Sequence, residues 1–239
     1  MKLERISYTD EFWAMIPARS GSKTIKNKNI RKVNGIPLVM HSLLFASKIK
    51  RIKKIIFSSD STKYLKLADK LKKILKHKRK IKASKDQSSD LEVFKDFIDH
   101  HLKFSNVLPK YFIYFRPTSP IRKTKTVIKA IKTFNNISKK YSSLCSVNSE
   151  SETAFKSTVI INKRLCGAFK RASLDSINLP RQKFPKTYKF NGIVDIFKTK
   201  NIVQNKLYGK KAYPFDTGKD FNIEIDTRND LSKVKNYFL

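Results

Sequence analysis

The chain has 239 residues, 40% of them hydrophobic, which suits one large α/β domain with at most a small appendage. Its formal net charge of +34 comes from 53 Lys and Arg against 19 Asp and Glu; the cations are scattered, with no basic tail or Arg-rich arm, which points away from a dedicated nucleic-acid binder and toward faster capture of small anions. Two cysteines, Cys145 and Cys166, exclude a disulfide framework or a zinc site, and no apolar run approaches a membrane span, so a soluble cytoplasmic protein is expected.

In chain order, the apolar run 12–16 predicts a buried first strand. Residues 16–30 then read I-P-A-R-S-G-S-K-T-I-K-N-K-N-I, placing Arg19, Lys23, Lys26 and Lys28 in one loop, with Ser20, Gly21 and Ser22 giving the backbone room to turn. Such a loop suits a polyphosphate. Glycine lets backbone N–H groups approach the anion, arginine grips it with two prongs and lysine acts as a point charge. A solvated basic loop on a basic protein is the plainer alternative. The segment matches neither the Walker A pattern nor G-x-G-x-x-G.

A helix is expected from Pro37 to about Lys50. A strand over 54–58 ends at Ser59-Asp60. Helical periodicity covers 62–75 and again 91–102, the latter capped near Ser89 or Asp90. The clearest strand is 111–115, stopped by Pro117, followed by a helix over 124–134 and a strand over 142–147. Strands and helices that alternate, with near-continuously apolar strands, predict an α/β fold: a mostly parallel Rossmann-like sheet with helices on both faces. In such sheets ligands sit beyond the carboxyl ends of the strands. The basic loop, the Ser59-Asp60 turn and the Arg116-Pro117-Thr118 turn all lie at such ends. From about Ser149 the rhythm changes to extended segments at 154–161, 190–197 and 221–225, with a loop over 175–188. This half reads as antiparallel additions to the sheet plus a small antiparallel insertion at about 149–190. Asp226-Thr227 opens a last helix to about Phe238.

Four segments carry chemistry. The basic loop is the first. The second, F-R-P-T-S-P-I-R over 115–122, is a strand end locked by two prolines among hydroxyls and guanidiniums, and is equally readable as a rigid turn. The third runs from Leu179-Pro180-Arg181-Gln182 to Lys189-Phe190-Asn191-Gly192 and gathers side chains suited to a carboxylate and hydroxyls, or is an ordinary polar loop. In the fourth, N-I-E-I-D over 222–226, period-2 alternation puts Glu224 and Asp226 on one face of a strand. Two adjacent carboxylates repel unless a cation lies between them, and beside phosphates Mg²⁺ is the natural one. The alternative is that Asp226 merely caps the final helix.

In this order the segments resemble the acylneuraminate cytidylyltransferase family. That family shows I-P-A-R-x-G-S-K-G-x-x-x-K-N near the start, [QR]-P-T-S-P-L-R mid-chain, P-R-Q and then N-G, and D-I-D-T near the end. The resemblance spans residues 12–238. It implies a nucleotide-diphospho-sugar transferase-like fold and a Mg²⁺-dependent reaction of CTP with a 2-keto-3-deoxy nine-carbon sugar acid. The products would be the CMP-sugar and pyrophosphate. It implies CTP and a small sugar acid as partners, no nucleic acid or membrane, and a homodimer formed through the insertion. Carried across by position, Arg19, Lys23 and Lys28 match the triphosphate-binding and catalytic positions, with Ser22 and Asn29 beside them. Arg79 and Ser89 fall near the nucleotide positions. Arg116, Lys156, Arg181, Gln182, Lys189 and Asn191 fall where the family holds the sugar acid, and Glu224 and Asp226 match the metal carboxylates.

The chain departs from the pattern at several points. Thr24 replaces a Gly, and Lys26 stands near a usual Pro, which implies a less tightly turned loop. Arg79 lacks its following Pro. Arg116 replaces Gln, N-G-I-V-D replaces N-G-A-x-Y, and Glu224 replaces Asp. Arg116 and Asp195 resemble the branch acting on legionaminic-type acids. The alternative enzyme is a cytidylyltransferase for another acceptor, an eight-carbon keto acid or a polyol phosphate; the S-K-x-x-x-x-K-N spacing argues against the former. The alternative of another class is a non-catalytic basic nucleotide- or nucleic-acid-binding protein. Against it stand aromatic residues that lie inside apolar runs rather than as a stacking surface.

Overall fold

The computed structural model describes residues 6–169, 172–218, 220 and 222–237. Its first half runs β1 (Ser7–Pro17), β2 (Lys32–Val33), β3 (Ile36–Pro37), α1 (Leu38–Ser47), β4 (Ile52–Ser59), α2 (Thr62–Lys66), β5 (Ile74–Lys78), α3 (Asp90–His101), β6 (Val107–Tyr114) and α4 (Thr124–Ile137). The second half runs β7 (Ser143–Ser149), β8 (Thr158–Ile161), β9 (Arg164–Gly167), α5 (Leu174–Ile177), β10 (Tyr188–Lys198), α6 (Thr199–Val203), β11 (Ala212–Asp216) and α7 (Arg228–Tyr237).

Seven strands form one sheet in the order β11-β7-β10-β6-β1-β4-β5. The pairs β1/β4, β1/β6, β4/β5 and β7/β11 are parallel; only β10 runs antiparallel to its neighbours. Over residues 12–16 both faces of β1 are buried, as the unbroken apolar run there requires. Ala14 and Ile16 pack with Val39 and Leu43 of α1 and Phe134 of α4. Trp13 and Met15 pack with Phe94 and Phe97 of α3 on the other side. Each such fully buried large side chain contributes roughly 1.5–3 kcal/mol. A smaller cluster matters more for the site. Ile25 of the basic loop, Ile121, Ile225 and Val234 of α7 are buried together. This cluster draws the loop after β1 against the segment before α7, some two hundred residues later in the chain.

The mostly parallel sheet with helices on both faces is as the alternation predicted, and β10 is an antiparallel addition. β8 and β9 make a separate antiparallel hairpin inside 149–190. Other expectations need correcting. The helix over 62–75 stops at Lys66; Lys73 takes a left-handed φ of 66°, and Ile74–Lys78 is an edge strand parallel to β4. Its mixed residues, with only His77 well buried, mimicked helical periodicity. Residues 222–225 form no strand, and Phe221 lies outside the described residues, as does Phe238 at the expected end of the last helix. The loop expected over 175–188 holds the end of α5 and a 3₁₀ turn at Arg181–Lys183. Gly192 sits at φ 66°, where an added Cβ would lie 2.6 Å from Ser119 Oγ, so the chain can pass there only as glycine. Among the described residues no helix is long and apolar enough to cross a membrane. Cys145 and Cys166 are both free.

Candidate active site

The carboxyl ends of β1, β5 and β6 surround a cleft of about 540 Å³ lined by the loop after β1, by Arg79 just past β5, by residues before and at the start of α3, and by the Arg116-Pro117-Thr118 turn. Its basic loop is tied at both ends. Asp60, just past β4, accepts hydrogen bonds from the Ser20 N–H and hydroxyl, both 2.8 Å. Asn29 donates to the Arg19 carbonyl at 2.9 Å. The turn is made by Asn27 at φ 58°, which opens the 3₁₀ turn Lys28–Ile30, so no glycine is needed at position 24. Gly21 has no left-handed φ and no neighbour that a Cβ would strike.

Lys28 reaches across the cleft. Its Nζ donates to the Ile225 carbonyl at 2.8 Å and lies 3.1 Å from Asp226 Oδ1. The Ile225 N–H bonds the Thr118 carbonyl at 2.8 Å, and its side chain is fully buried. Glu224 and Asp226 therefore both face outward because the residue between them is pinned, not because a strand pairs there. Glu224 accepts from the Thr118 hydroxyl at 3.3 Å. Asp226 does not cap α7. Thr227 does, exchanging hydrogen bonds with Asp230 at 2.8 and 3.2 Å, which leaves the Asp226 carboxylate in the cleft lining.

On the floor, Arg116 lies between two carboxylates, 2.6 Å from Asp195 Oδ2 and 3.1 Å from Asp90 Oδ2, and over the Tyr114 ring at 4.7 Å. Asp195 is fully buried. Burial works against the Arg116 cation, but Asp195, Tyr114 and Asp90 outweigh it and raise its pKa. Tyr114 donates its hydroxyl proton to Asp90 at 2.6 Å. Arg79, 6% exposed, is held by the Ser58 hydroxyl and carbonyl and by the Ala83 carbonyl. Arg122 lashes the whole corner together. It donates to the Ile193, Arg116 and Gly192 carbonyls and to the Ser42 hydroxyl, joining α1, the 116–122 turn and β10.

Parallel strand ends, a cationic loop and one carboxylate across from it are the parts of a nucleotide-transfer site. A family model described as cytidylyltransferase matches residues 13–236. The chain belongs to the cytidylyltransferase family. It is 26% identical over 226 residues to the post-translational flagellin modification protein B of Campylobacter coli, covering 94% of each chain. It is 29% identical over 220 residues to a CMP-N,N'-diacetyllegionaminic acid synthase of Legionella pneumophila, covering 90% of each. A structure of CMP:2-keto-3-deoxy-manno-octonic acid synthetase complexed with CTP shares the fold, with a TM-score of 0.67 over 95% of this chain and 98% of that one, at 15% identity.

In this cytidylyltransferase Arg19, Ser22, Lys23, Lys28, Asn29, Arg79, Arg116 and Asp226 all line the one cleft. The other residues singled out from the sequence lie elsewhere. The Ser89 hydroxyl caps α3 in a reciprocal box with Glu92. Arg181 and Gln182 line a second cleft of about 320 Å³ with Glu150, and Arg181 donates to the Glu150 carbonyl at 3.4 Å. Lys156 closes a 3₁₀ turn beside the β8–β9 hairpin. Lys189 sits on β10 opposite Asn148. Asn191 is buried, its side chain engaged by Asn148, Thr217 and the Ile193 N–H. Asp86 escaped notice in the sequence. It accepts from Lys23 at 2.6 Å and also from Arg19, and these two, Lys23 first, hold its carboxyl below the usual range. Its one visible signal was an acid directly after the strongly basic stretch 76–85. Asp90 and Tyr114 were read only as a cap and a strand residue; nothing local marks them as partners of Arg116.

Proposed function

We propose that the protein joins CTP to a nine-carbon 2-keto-3-deoxy sugar acid of the sialic or legionaminic type, releasing pyrophosphate and forming the CMP-sugar. The observation that carries this reading is the convergence of Arg19, Lys23, Lys28 and Asp226 on one cleft at the ends of parallel strands. The legionaminic acid synthase among its relatives supports the choice of acceptor.

The anomeric hydroxyl of the sugar acid attacks the α-phosphorus; the new P–O bond forms as the bond to pyrophosphate breaks in line, and the hydroxyl proton leaves to solvent. Such chemistry needs positioning and charge neutralisation rather than covalent help. Arg19, Lys23 and Lys28 offset the charge that builds on the departing pyrophosphate. Lys28 is set in place beforehand by the Ile225 carbonyl. Glu224, Asp226 and the Thr118 hydroxyl beside them offer hard oxygen donors. Among the described residues no group of three or more His, Cys, Asp or Glu could hold a metal ion. The pair therefore suits a cation whose other ligands are water and phosphate, as Mg²⁺ prefers. Held by these residues, Mg²⁺ would offset the negative charge of the phosphate oxygens and lower the pKa of the attacking hydroxyl. For the acceptor, Arg181 is assigned to the sugar carboxylate, with Lys156, Gln182, Lys189 and Asn191 as the surrounding polar groups.

A homodimer is part of the proposal. Ile160, Ile161 and Leu165 of the β8–β9 hairpin are 77%, 56% and 53% exposed, an apolar strip that a second copy of the hairpin would cover. Light scattering at twice the chain mass, reduced to the single mass by Ile160→Asp, is the expected behaviour. The cytoplasm, where free thiols persist, is the proposed setting.

The decisive assay offers the protein CTP, Mg²⁺ and a panel of nine-carbon acids, eight-carbon keto acids and polyol phosphates, with pyrophosphate release and mass spectrometry of the products. A CMP-linked nine-carbon acid is expected. Turnover confined to the other acceptors would overturn the assignment of the acid, and no turnover with any would overturn the enzyme reading.

A further inference from the structure

Beneath the cleft lies a polar chain that the proposed reaction does not use. Ser58 on β4, His77 on the neighbouring β5 and Asp96 on α3 are 0%, 1% and 7% exposed. Arg79 Nε is 3.2 Å from Ser58 Oγ, Ser58 Oγ is 3.0 Å from His77 Nδ1, and His77 Nε2 is 3.4 Å from Asp96 Oδ2. Asp96 Oδ2 also accepts the Lys80 N–H at 2.9 Å. The order Ser–His–Asp is that of a hydrolytic triad, but Ser58 is wholly buried and one of its lone pairs is already taken by Arg79, so it is no nucleophile.

A guanidinium can only donate, so Ser58 Oγ accepts from Arg79. A serine oxygen keeps a second lone pair, so the direction of the Ser58–His77 bond is set from the other side of the ring. The Asp96 carboxylate only accepts, so the ring proton sits on Nε2, which faces it. In the neutral ring Nδ1 is then bare and takes the Ser58 proton. The neighbouring His100, Arg79 and Lys80 oppose a second proton on the ring. His100 of α3 lies 5.4 Å away ring to ring, and Arg79 and Lys80 follow β5 directly. Burial, the largest influence, and these three groups outweigh Asp96 and lower the His77 pKa to about 4. The imidazole is neutral at working pH.

Arginine has five N–H donors. Arg79 commits three, to the Ser58 hydroxyl, the Ser58 carbonyl at 2.9 Å and the Ala83 carbonyl at 3.4 Å. Two remain, on a guanidinium that lines the cleft. We propose that His77 is a positioning residue. By taking the Ser58 proton it turns a Ser58 lone pair toward Arg79 Nε, and so aims the two uncommitted N–H groups of Arg79 at an oxygen acceptor of the bound nucleotide. The inference rests on reading the cleft as a CTP site.

Two measurements test it, and the first needs no turnover. Nitrogen-15 NMR of the labelled protein at neutral pH is expected to show the His77 Nδ1 shift of a bare ring nitrogen and the Nε2 shift of an N–H. A protonated Nδ1 would overturn the proposal. Second, Ser58→Ala and His77→Phe are expected to raise the KM for CTP about tenfold, the worth of one aligned hydrogen bond to a charged group. The kcat should stay within about twofold and the KM for the sugar acid should not move. His77→Asn, which restores an acceptor on the Ser58 side, should recover most of the loss. Equal rises in both KM values, or a folded Ser58→Ala with wild-type affinity for CTP, would overturn it. Should His77→Phe fail to fold, Ser58→Ala carries the kinetic arm. If the wild-type protein neither binds nor turns over CTP, the cleft reading fails and the nucleotide role of Arg79 with it, while the nitrogen shifts still decide the His77–Ser58 arrangement.

Discussion

The cations at the mouth of the cleft and those on its floor are the same residue types in opposite circumstances. Lys23 at the mouth has a side chain 83% exposed, and among the described residues its only ion-pair partner is Asp86, itself at the surface. Arg116 and Arg79 on the floor are held in place by fixed acceptors before any ligand arrives. A mouth cation can follow a flexible phosphate chain, but it brings little preorganisation. A floor cation is preorganised, but most of its donors are already committed. Mutations on the floor should therefore strike stability and geometry, whereas those at the mouth should strike turnover and affinity with the fold intact.

The largest effect belongs to Arg116→Ala. It leaves Asp195, fully buried, without its ion-pair partner; among the described residues it keeps the Ser146 N–H at 3.2 Å and the more distant attraction of the Arg122 cation. Removing one partner of a buried ion pair typically costs about 3–5 kcal/mol. Chemical denaturation should read a loss of that size, and Asp195→Asn in the same chain should return part of it. A loss below about 1 kcal/mol would mean that Arg116 does not neutralise Asp195.

Acid should weaken the floor next. The unfolded His77 takes a proton near its ordinary value of 6.5, the folded one only near 4. Between those pH values the unfolded chain holds more protons, so stability falls as pH falls, by about 3 kcal/mol in total. Above 6.5 this contribution is complete; below 4 it is gone. Denaturation midpoints measured from pH 7 to 4 should show the slope, and His77→Asn should flatten it. An unchanged slope in that variant would assign the acid sensitivity to carboxylates instead.

At the mouth, Asp226→Asn should lower kcat on the order of 100-fold, the scale of one lost preorganised electrostatic element. Its exposed side chain makes no core contact, so unfolding should shift by no more than about 0.5 kcal/mol. Near-normal kcat with Mg²⁺ would remove Asp226 from the reaction.

The two regions also differed in how far the sequence revealed them. The mouth is drawn from short segments: Arg19, Lys23, Lys28 and Asn29 fall within eleven residues, and the segment 222–226 supplies Asp226. Strand ends were legible because a strand buried on both faces leaves an unbroken apolar run, as at 12–16 and 111–115. The floor is assembled by register. Ser58 meets His77 only because β4 and β5 pair Ser58 with His77, and that pairing was hidden when 74–75 was read as the tail of a helix. Arg116 meets Asp195 through the antiparallel pairing of Tyr114 with Asp195, a contact between residues 79 apart in sequence. No local pattern records such a pairing. The alternation at 222–226 predicted the right facing of Glu224 and Asp226 for the wrong reason, since a pinned Ile225 stands in for a strand.

The smallest effect tests what the mouth does before a nucleotide arrives. Asp86 bonds both Lys23 and Arg19, and so stands where an incoming phosphate would need to be. A carboxylate on the two cations is a competitor for the anion they are meant to bind. Exposed ion pairs are weak and screened by salt, so the competition is modest. Asp86→Asn should lower the KM for CTP roughly two- to fivefold with kcat unchanged. It should also make kcat/KM decline more steeply with added salt, because the freed cations then face the phosphate alone. A rise in KM would carry the opposite meaning: that Asp86 braces the loop in its binding shape, and that the mouth is more ordered than its exposure suggests.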